Sequence, residues 1–322
     1  MYSYNITIFI LLLLYILTRN KRRIPFYKTD FINSMNVYFV KHQGFTWQKV
    51  DSNKYNMLTG VSISPGCYTS IPIDQHKSSW CGCCYMVATM QMIQDRAHVK
   101  IGKLNNTRMI PWIILDLQSM LDHYNLYKAP YTVGWNACKG GLPLHLLDAI
   151  ETKKCPLIFS KHNEWVGHPK EIQSIKTTNI KISVRNSKRI IPTSAVEKTI
   201  LDNGPVVLSI SGELLKNIDK DGFVDTTTVM KANHAVSVVG WLYKNDKKYW
   251  IARNSWGEKQ VPVSFPPDLS CVTTTENNCN VKMEKWVGDP QNPGFVYIPS
   301  DYVLLNDDEN SPWFETEIFF EE

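Results

Sequence analysis

The sequence predicts an α+β protein in which a mainly helical first half precedes a half built from antiparallel strands. Apolar residues show helical spacing up to about residue 150, whereas later stretches alternate polar and apolar side chains. Helices followed by strands are typical of α+β proteins and exclude the βαβ alternation of parallel sheets. With 322 residues, the chain is long enough for two lobes with a sizeable core.

The composition is that of a folded globular protein. Hydrophobic residues make up 43% and charged residues 20% of the chain, which excludes a disordered polypeptide. The net charge is +5, and part of it comes from a basic cluster at residues 19–23. Basic and aromatic residues do not interleave in a stripe, so we expect no nucleic acid partner.

The N-terminus carries an apolar segment, residues 6–17, in which Thr7 is the one clearly polar residue. Its length suits a signal peptide or signal-anchor over residues 1–18 better than a full membrane span, which needs roughly 20 residues. We expect entry into the secretory route, to a lysosome-like or secreted compartment, with the segment as a membrane tether if it is not removed. Residues 19–55 are then a short pro-segment or linker, or an extra N-terminal piece of the main domain at residues 56–322.

Three helices are predicted in the first half of the chain. The first follows Cys84 over residues 86–93. Cys84 therefore lies near a helix N-terminus, where the helix dipole lowers the pKa of a thiol and favours the thiolate. The second helix spans residues 109–122 with Pro111 near its start, and the third spans residues 144–150.

The second half of the chain reads mainly as strands. The predicted strands are residues 179–184, 206–210, 235–242 and 248–253. The last two form a hairpin around residues 244–247, and a short helix is predicted at residues 195–201. The acidic end that starts at Asp307 is expected to be solvated.

Eight cysteines, an even number, indicate an oxidising compartment, although their pairing cannot be read from their spacing. Three of them occur in Trp80-Cys81-Gly82-Cys83-Cys84. A tryptophan followed by C-G-x-C at a helix start resembles the active-site motif of thioredoxins, which would make Cys81 and Cys84 a redox pair. The same stretch can supply a catalytic nucleophile, or Cys84 can be a buried structural cysteine.

A nucleophilic thiol needs a proton partner, and that partner needs a group that orients it. His234 starts one predicted strand and Asn254 follows the next, so a hairpin can bring their side chains together. The amide oxygen of Asn254 can accept the imidazole N–H, and Trp256 can shield that bond from water. These residues predict a site formed by Cys84, His234 and Asn254.

Five blocks of sequence, in the same order, resemble the papain family of cysteine peptidases over roughly residues 60–260. They are the stretch around Cys84, Cys138-Lys139-Gly140-Gly141, Asn203-Gly204-Pro205-Val206, residues 233–241 and residues 249–257. Cys83 departs from the family signature, which has Ser or Ala at that position. The resemblance implies a papain-like peptidase domain at residues 56–322, with two lobes and an active-site cleft between them. It also implies an insertion at residues 259–293 before a final strand at residues 294–298.

Carried over residue by residue, the resemblance implies a role for each matching position. The roles are Cys84 as nucleophile, His234 as its proton partner, Asn254 as orienting residue, Gln75 as oxyanion-hole donor with the Cys84 backbone N–H, Gly140, Gly141 and Trp256 at the substrate, and Cys81 with Cys138 as a disulfide. The family's next disulfide would join Cys155 to a position where this chain has His123. Cys155 is therefore expected to be unpaired or paired elsewhere.

The spacing between Gln75 and Cys81 resembles the cathepsin X branch of the family, also called cathepsin Z. Five residues intervene here, where most members have two. Members of that branch are carboxypeptidases, and a histidine of this loop binds the C-terminal carboxylate of the substrate. His76 occupies its position, and a protonated imidazole offers a charge-assisted hydrogen bond to a carboxylate at mildly acidic pH. Lys77-Ser78 replace the Ile-Pro of that branch, and Lys77 can itself attract a carboxylate.

The sequence therefore predicts a cysteine peptidase that is made with a pro-segment and removes C-terminal residues from peptides or proteins. We expect it to act as a monomer, without a cofactor or a bound metal. Three alternatives stay open: an endopeptidase or dipeptidase of the same fold, a thiol–disulfide oxidoreductase using Cys81 and Cys84, and a non-catalytic binding protein. Cys271 and Cys279 can close a local loop, and the pairing of Cys67 and Cys83 is left open.

Overall fold

The computed structural model describes residues 44–47, 69–70, 72–76, 81–104, 115–128, 136–158, 181–191, 195–216, 218–225, 232–257, 260–262, 283–285, 292–301 and 311–321. All of them belong to one compact unit, Gln43–Glu322. Outside the described residues lie the predicted signal or anchor at residues 1–18, most of residues 19–55, Cys67, Lys77 and most of the insertion with Cys271 and Cys279. Among the helices of the described part, none is long and apolar enough to cross a membrane.

Four α-helices form in the described ranges. They are α1 (Cys84–Leu104), α2 (Leu117–Lys128), α3 (Pro143–Glu151) and α4 (Ala195–Asn203), with a 3-10 helix at Gly212–Lys216. A continuous helix from residue 109 to 122 was predicted, but Leu115 and Asp116 are not helical and α2 begins at Leu117. The predicted start near Pro111 lies outside the described residues. The Asp116 carboxylate accepts the backbone N–H of Ser119 at 2.9 Å, which is an N-cap arrangement.

Nine strands form within the described ranges. They are β1 (Gly44–Thr46), β2 (Lys181–Arg189), β3 (Val206–Ile210), β4 (His234–Lys244), β5 (Lys247–Arg253), β6 (Gln260–Pro262), β7 (Met283–Lys285), β8 (Phe295–Pro299) and β9 (Trp313–Glu321). Seven of them build one antiparallel sheet in the order β2-β9-β3-β4-β5-β8, with β1 paired to β4. Strands β6 and β7 pair with each other inside the predicted insertion. The predicted order, helices first and antiparallel strands second, is confirmed.

Strand β9 lies inside the sheet between β2 and β3, which contradicts the prediction of a solvated acidic end. Trp313 and Thr316 are fully buried, and Glu315 is only 7% exposed. Arg96 of α1 compensates the buried charge, because its guanidinium nitrogens lie 3.4 Å from Glu315 Oε2. Arg96 precedes Glu315 by 219 positions, so this ion pair could not be predicted from the acidic composition after Asp307.

The hairpin of β4 and β5 brings two predicted site residues to the same end of the sheet. Strand β4 begins at His234, and β5 ends at Arg253, the residue before Asn254. Helix α1 packs against β4. The thiol of Cys84, the first residue of α1, lies against the backbone N–H of Ala235.

A buried ion pair joins α1 to β5. Asp95 Oδ2 lies 2.6 Å from Arg253 Nη2, and both side chains are fully buried. Arg253 also donates to Ser237 of β4 and to Ser70, whose backbone N–H donates to Asp95 Oδ1 at 2.8 Å. This network holds α1 in place relative to the strand that precedes Asn254.

Candidate active site

The N-terminus of α1 is held by covalent and backbone contacts to the segment before α3. Cys81 and Cys138 form a disulfide, as the resemblance implied. The backbone N–H of Gly82 donates to Cys138 O at 2.7 Å. Cys83 O accepts the backbone N–H groups of the first helical turn, so α1 begins at Cys84.

The Cys84 thiol is half-buried at this helix start, whereas its neighbour Cys83 is fully buried. The backbone N–H groups of Cys84, Tyr85 and Ala235 contact the sulfur and favour its ionised form. Burial has the larger effect and raises the pKa of the Cys84 thiol to about 11. The local stabilisation of the thiolate that we predicted is therefore present, but the net shift of the pKa is opposite to the prediction.

A hydrogen bond of 2.8 Å joins His234 Nε2 to Asn254 Oδ1. The orientation of the Asn254 amide is set by Ser255, whose backbone N–H donates to the same Oδ1 at 2.9 Å. Because an oxygen accepts both bonds, the imidazole carries a proton on Nε2 and donates it. In the neutral ring, Nδ1 is then the nitrogen that can accept a further proton.

Burial shifts the pKa values of Cys84 and His234 in opposite directions, each toward the neutral form. Burial lowers the pKa of His234 to about 4, and the hydrogen bond that His234 donates to Asn254 raises it by a smaller amount. Burial opposes the charged form of each group, so the resting pair is a neutral thiol beside a neutral imidazole. Transfer of the proton from sulfur to Nδ1 would create two opposite charges that attract each other.

Trp256 covers one side of the His234 imidazole. The two ring centroids are 4.8 Å apart, with 36° between the ring planes, and Trp256 is 1% exposed. The indole thus removes one face of the imidazole from solvent next to the bond with Asn254. Contact between Trp256 and a substrate stays a prediction.

Gln75 contacts Ser255, the residue after Asn254, and its side-chain amide is fixed at both ends. Ser255 Oγ donates to Gln75 Oε1, and Gln75 Nε2 donates to Cys81 O at 2.7 Å. The backbone N–H of Gln75 donates to Ser255 O at 2.8 Å, and the residue is 2% exposed. Nε2 carries a second hydrogen, which is the kind of donor that an oxyanion requires.

Sequence reasoning did not single out Ser255, although this residue contacts both amides. Its backbone N–H binds Asn254 Oδ1 and its hydroxyl binds Gln75 Oε1. The available signal was its place directly after Asn254 in a family block. The contact with Gln75 spans 180 positions and could not be read from local sequence.

The imidazole of His76 is oriented by the backbone of Cys81, which follows the five-residue loop after Gln75. The N–H of Cys81 donates to His76 Nδ1 at 3.3 Å, so the neutral ring carries its proton on Nε2. Burial and the nearby His234 lower the pKa of His76 to about 3. His76 is therefore neutral at mildly acidic pH in the free protein, whereas we predicted a protonated imidazole. The binding of a carboxylate by His76 stays a prediction. A neutral Nε2–H can still donate a hydrogen bond to an anion.

Gly140 and Gly141 lie in the segment that leads from Cys138 into α3. Gly141 is exposed, and a Cβ at this position would lie 2.8 Å from the ring of Tyr85. Tyr85 is itself fixed, because its hydroxyl donates to Ala137 O at 3.1 Å. Glycine is thus needed for the close approach to Tyr85, and the contact of this segment with a substrate stays a prediction.

Among the described cysteines, Cys83, Cys84 and Cys155 are unpaired. The state of Cys155 agrees with the prediction that it lacks a family partner. Both Cys83 and Cys155 are fully buried. Burial raises the pKa of Cys155 to about 12 and that of Cys83 well above its usual range, which is typical of structural cysteines. Cys81 is fully buried and already bonded to Cys138, which removes the redox partner that the oxidoreductase alternative requires.

A sequence model of the papain family cysteine proteases matches residues 67–287, more than half of the chain. That range contains the disulfide, both glycines and every residue of the site described above. The chain belongs to the papain family. Cysteine proteinase 3 of Entamoeba histolytica is 24% identical over 226 residues, which cover 67% of this chain and 66% of that protein.

Further relatives of this papain-family chain include cathepsins. A viral cathepsin of a Cydia pomonella granulosis virus is 27% identical over 180 residues, covering 55% of this chain and 48% of that protein. Cathepsin Z of Onchocerca volvulus is 24% identical over 198 residues, which cover 59% of this chain and 62% of that protein. The chain thus spans about half to two thirds of the length of these relatives.

Solved structures of similar fold confirm the papain-like α+β architecture. The bromelain protease of Ananas comosus, solved with the E64 inhibitor, has a TM-score of 0.52 at 16% identity and covers 86% of this chain and 98% of that one. A chain from a structural study of the mite allergens Blo t 1 and Der p 1 has a TM-score of 0.54 at 17% identity. The match covers 87% of this chain and 71% of that one.

Proposed function

We propose that this papain-family protein is a cysteine peptidase in which Cys84, His234 and Asn254 carry the reaction. The observation that supports this most directly is the 2.8 Å bond from His234 Nε2 to Asn254 Oδ1, oriented by the Ser255 N–H. That bond leaves Nδ1 as the proton acceptor. The nearby sulfur of Cys84 lies against three backbone N–H groups that favour the thiolate.

In the first half of the proposed reaction, the sulfur of Cys84 attacks the scissile carbonyl carbon while His234 Nδ1 takes the thiol proton. The carbonyl oxygen becomes negative and accepts hydrogen bonds from the Cys84 backbone N–H and the second Nε2 hydrogen of Gln75. The imidazolium then gives its proton to the amine nitrogen and the C–N bond breaks. The acyl group remains on Cys84 as a thioester.

In the second half, water hydrolyses the thioester. Neutral His234 accepts a proton from the water as its oxygen attacks the acyl carbon, and the C–S bond then breaks. The sulfur recovers a proton from the imidazolium, and the carboxylic acid leaves. The hydrogen bond to Asn254 keeps His234 Nδ1 directed at the reacting atoms in both halves of the reaction. Trp256 shields that hydrogen bond from water.

We further propose that the enzyme removes residues from the C-terminus of its substrates. His76 supports this, because it lies close enough to His234 for the two imidazoles to interact electrostatically. The Cys81 N–H occupies its Nδ1 and leaves Nε2–H as the donor. A carboxylate would be recognised by a hydrogen bond to a neutral ring rather than by an opposite charge. The five residues between Gln75 and Cys81 and the similarity to cathepsin Z support the same proposal.

We also propose that the protein matures in an oxidising compartment of the secretory route. The disulfide between Cys81 and Cys138 supports this, because disulfides form and persist in such compartments.

The experiment that tests the peptidase uses the full chain, matured if it is a zymogen, under mild reduction at about pH 5 and about pH 7. One peptide is supplied with a free C-terminal carboxylate and again as its C-terminal amide, and products are followed by mass. Cys84→Ala is compared with Cys83→Ala, which removes the adjacent buried thiol. His76→Ala is compared with His145→Ala, which removes an exposed histidine of α3.

We expect the protein to remove single residues from the peptide with a free carboxylate and not from its amide. If Cys84→Ala abolishes this activity and Cys83→Ala does not, the result supports both the peptidase and its carboxypeptidase action. Loss of the preference for the acid in His76→Ala, but not in His145→Ala, would support the role of His76. Internal cleavage of both peptides would keep the peptidase and overturn carboxypeptidase action in favour of an endopeptidase. No cleavage by the folded protein would overturn the peptidase and favour a binding protein on this fold.

A further inference from the structure

His76, the proposed carboxylate-binding residue, is held in place from two sides. Its imidazole accepts the backbone N–H of Cys81 at Nδ1. Its own backbone N–H donates to Asp74 Oδ1 at 2.9 Å. Cys81 is fixed by its disulfide to Cys138, so the ring is bonded to a rigid part of the chain. The backbone of His76 depends on Asp74, a side chain that takes no part in the proposed chemistry.

The contact between Asp74 and His76 is an Asx turn, in which a carboxylate accepts the backbone N–H two residues further along the chain. A side-chain oxygen replaces the backbone carbonyl of an ordinary turn and fixes the direction in which the chain leaves it. Both residues are half-buried. The Asp74 carboxylate thus sets the course of the chain at His76, where the loop toward Cys81 begins.

Asp74 is itself anchored to the segment that follows Asn254. It lies opposite Trp256 in an antiparallel bridge, with backbone hydrogen bonds of 2.8 Å and 3.1 Å on its two sides. Gly257 packs against its side chain, because a Cβ at that glycine would lie 3.0 Å from Asp74 Cβ. The carboxylate therefore holds His76 relative to the same segment that orients the proposed proton partner.

Removal of a single C-terminal residue requires a fixed spacing between the carboxylate donor and the reacting groups. The covalent structure of a peptide sets the distance from its last scissile bond to its terminal carboxylate. His76 lies close enough to His234 for the two imidazoles to interact electrostatically. A donor on a loosely held backbone would bind the carboxylate without placing the last peptide bond at the sulfur of Cys84. The anchoring of the His76 backbone is therefore a requirement of the proposed specificity.

We propose that Asp74 is a positioning residue, whose hydrogen bond to the His76 backbone holds the imidazole where it binds the C-terminal carboxylate of a substrate. Asp74 acts through His76 and not on the reacting atoms. The proposal rests on the carboxypeptidase action proposed above. Gln75 stands between the two residues, but Ser255 and Cys81 hold its backbone and its amide, so the oxyanion-hole donor does not depend on Asp74.

Steady-state kinetics on a peptide with a free C-terminal carboxylate test this role. Asp74→Ala removes the acceptor, whereas Asp74→Asn keeps an acceptor oxygen without the charge. We expect Asp74→Ala to raise KM about tenfold and to change kcat less than about twofold, because the carboxylate is bound equally in the ground state and the transition state. Asp74→Asn should keep KM within about threefold of the wild-type value, because its amide oxygen can still accept the His76 N–H.

Asp219→Ala is the matched control, because Asp219 Oδ1 accepts the N–H groups of Asp221 and Phe223 in a similar turn outside the site. This variant should leave KM and kcat at their wild-type values. A fall in kcat as large as the fall in kcat/KM in Asp74→Ala would place the effect on the reacting groups and overturn the proposal. Equal defects in Asp74→Ala and Asp74→Asn would also overturn it, because the acceptor oxygen would then not matter.

A second measurement does not require the protein to be a peptidase. Histidine ring signals are recorded by NMR between about pH 4.5 and about pH 7.5 in the Cys84→Ala protein, which cannot digest itself. The His76 signal is assigned from its loss in His76→Gln, and unchanged signals of the other histidines show that each variant is folded. The His76 ring should stay neutral over this range, because its pKa is lowered to about 3.

Adding Asp74→Ala should release the His76 ring to solvent and raise its pKa toward the ordinary 6.5, so that its signal titrates. Asp74→Asn and Asp219→Ala should leave the signal as it is. A His76 signal that Asp74→Ala does not change would overturn the role of Asp74, whether or not the wild-type protein cleaves peptides. A responding signal in a protein without preference for the free acid would support the positioning of His76 and overturn the carboxypeptidase action instead.

Discussion

Asn254 sets both the orientation and the proton affinity of His234. The hydrogen bond from His234 Nε2 raises the pKa of that imidazole, against the burial that lowers it to about 4. His234 must be unprotonated to accept the thiol proton, so activity should rise with pH through this pKa. We predict that Asn254→Ala lowers the pKa of His234 further and reduces kcat by roughly 10²-fold, because the ring loses its orientation.

The measurement for Asn254→Ala is the pH profile of kcat/KM on its acid side. The acid limb should move to lower pH than in the wild-type protein, together with the loss in kcat. A limb that moves to higher pH, or a loss in kcat without any movement, would mean that Asn254 does not act through the pKa of His234.

His76 offers a second prediction at the scale of one residue. Its pKa is lowered to about 3, so the ring is already neutral at pH 5 and stays neutral at pH 7. We predict that the preference for a free C-terminal carboxylate over an amide changes less than about twofold between pH 5 and pH 7. The preference is measured as the ratio of the two kcat/KM values. A protonated imidazole with the ordinary pKa of 6.5 would instead lose most of its preference over this range.

Local motifs were enough to name the candidate site residues from the sequence, but not to predict their protonation states. Cys84, His234 and Asn254 each lie in a local motif, and a helix start and one hairpin suffice to place them. The pKa values of Cys84 and His76 depend on burial by distant segments, so local reasoning gave the wrong direction for the thiol and the wrong charge for the imidazole. The amide of Gln75 is fixed by Ser255 across 180 positions, which no local pattern reveals.

At the scale of elements, the buried pair between Asp95 of α1 and Arg253 of β5 fixes the helix relative to the sheet. Asp95→Asn leaves the Arg253 guanidinium buried without its counter-charge. We predict that this change lowers the free energy of unfolding by about 3–5 kcal/mol, measured by urea denaturation. The matched control is Asp202→Asn, which breaks an exposed pair with Lys198 and should cost less than about 1 kcal/mol. Equal losses in the two variants would show that the buried pair does not join the elements.

Elements were predictable where their partners are close in the chain. The hairpin of β4 and β5 was correctly predicted, because its two strands follow each other and its turn residues are polar. Strand β9 was missed, because its neighbours β2 and β3 come more than 100 residues earlier. Strand β1 was left open for the same reason, since its partner β4 lies almost 200 residues later.

At the scale of the whole molecule, the buried imidazole of His234 and the half-buried imidazole of His76 link stability to pH. The pKa of His234 is lowered to about 4 and that of His76 to about 3, from 6.5 in an unfolded chain. Between these values the unfolded chain binds protons that the folded protein does not. The stability that these two neutral imidazoles contribute is therefore fully present above pH 6.5. It is lost as the pH falls toward their pKa values in the folded protein. Each histidine adds up to about 1.4 kcal/mol per pH unit to the slope within this window.

We predict that replacing either histidine by glutamine lowers the slope of the unfolding free energy against pH, between about pH 4.5 and pH 6.5, by up to about 1.4 kcal/mol per pH unit. The free energy of unfolding is measured by urea denaturation at several pH values for His76→Gln, His234→Gln and the exposed control His145→Gln. The slope, rather than the absolute stability, is the readout, because glutamine also changes local packing. His145 is solvent-exposed, so its replacement should leave the slope as it is in the wild-type protein. Equal slopes in all four proteins would mean that neither imidazole is kept neutral by burial, and the proposed proton transfer from Cys84 would then have to start from a charged pair.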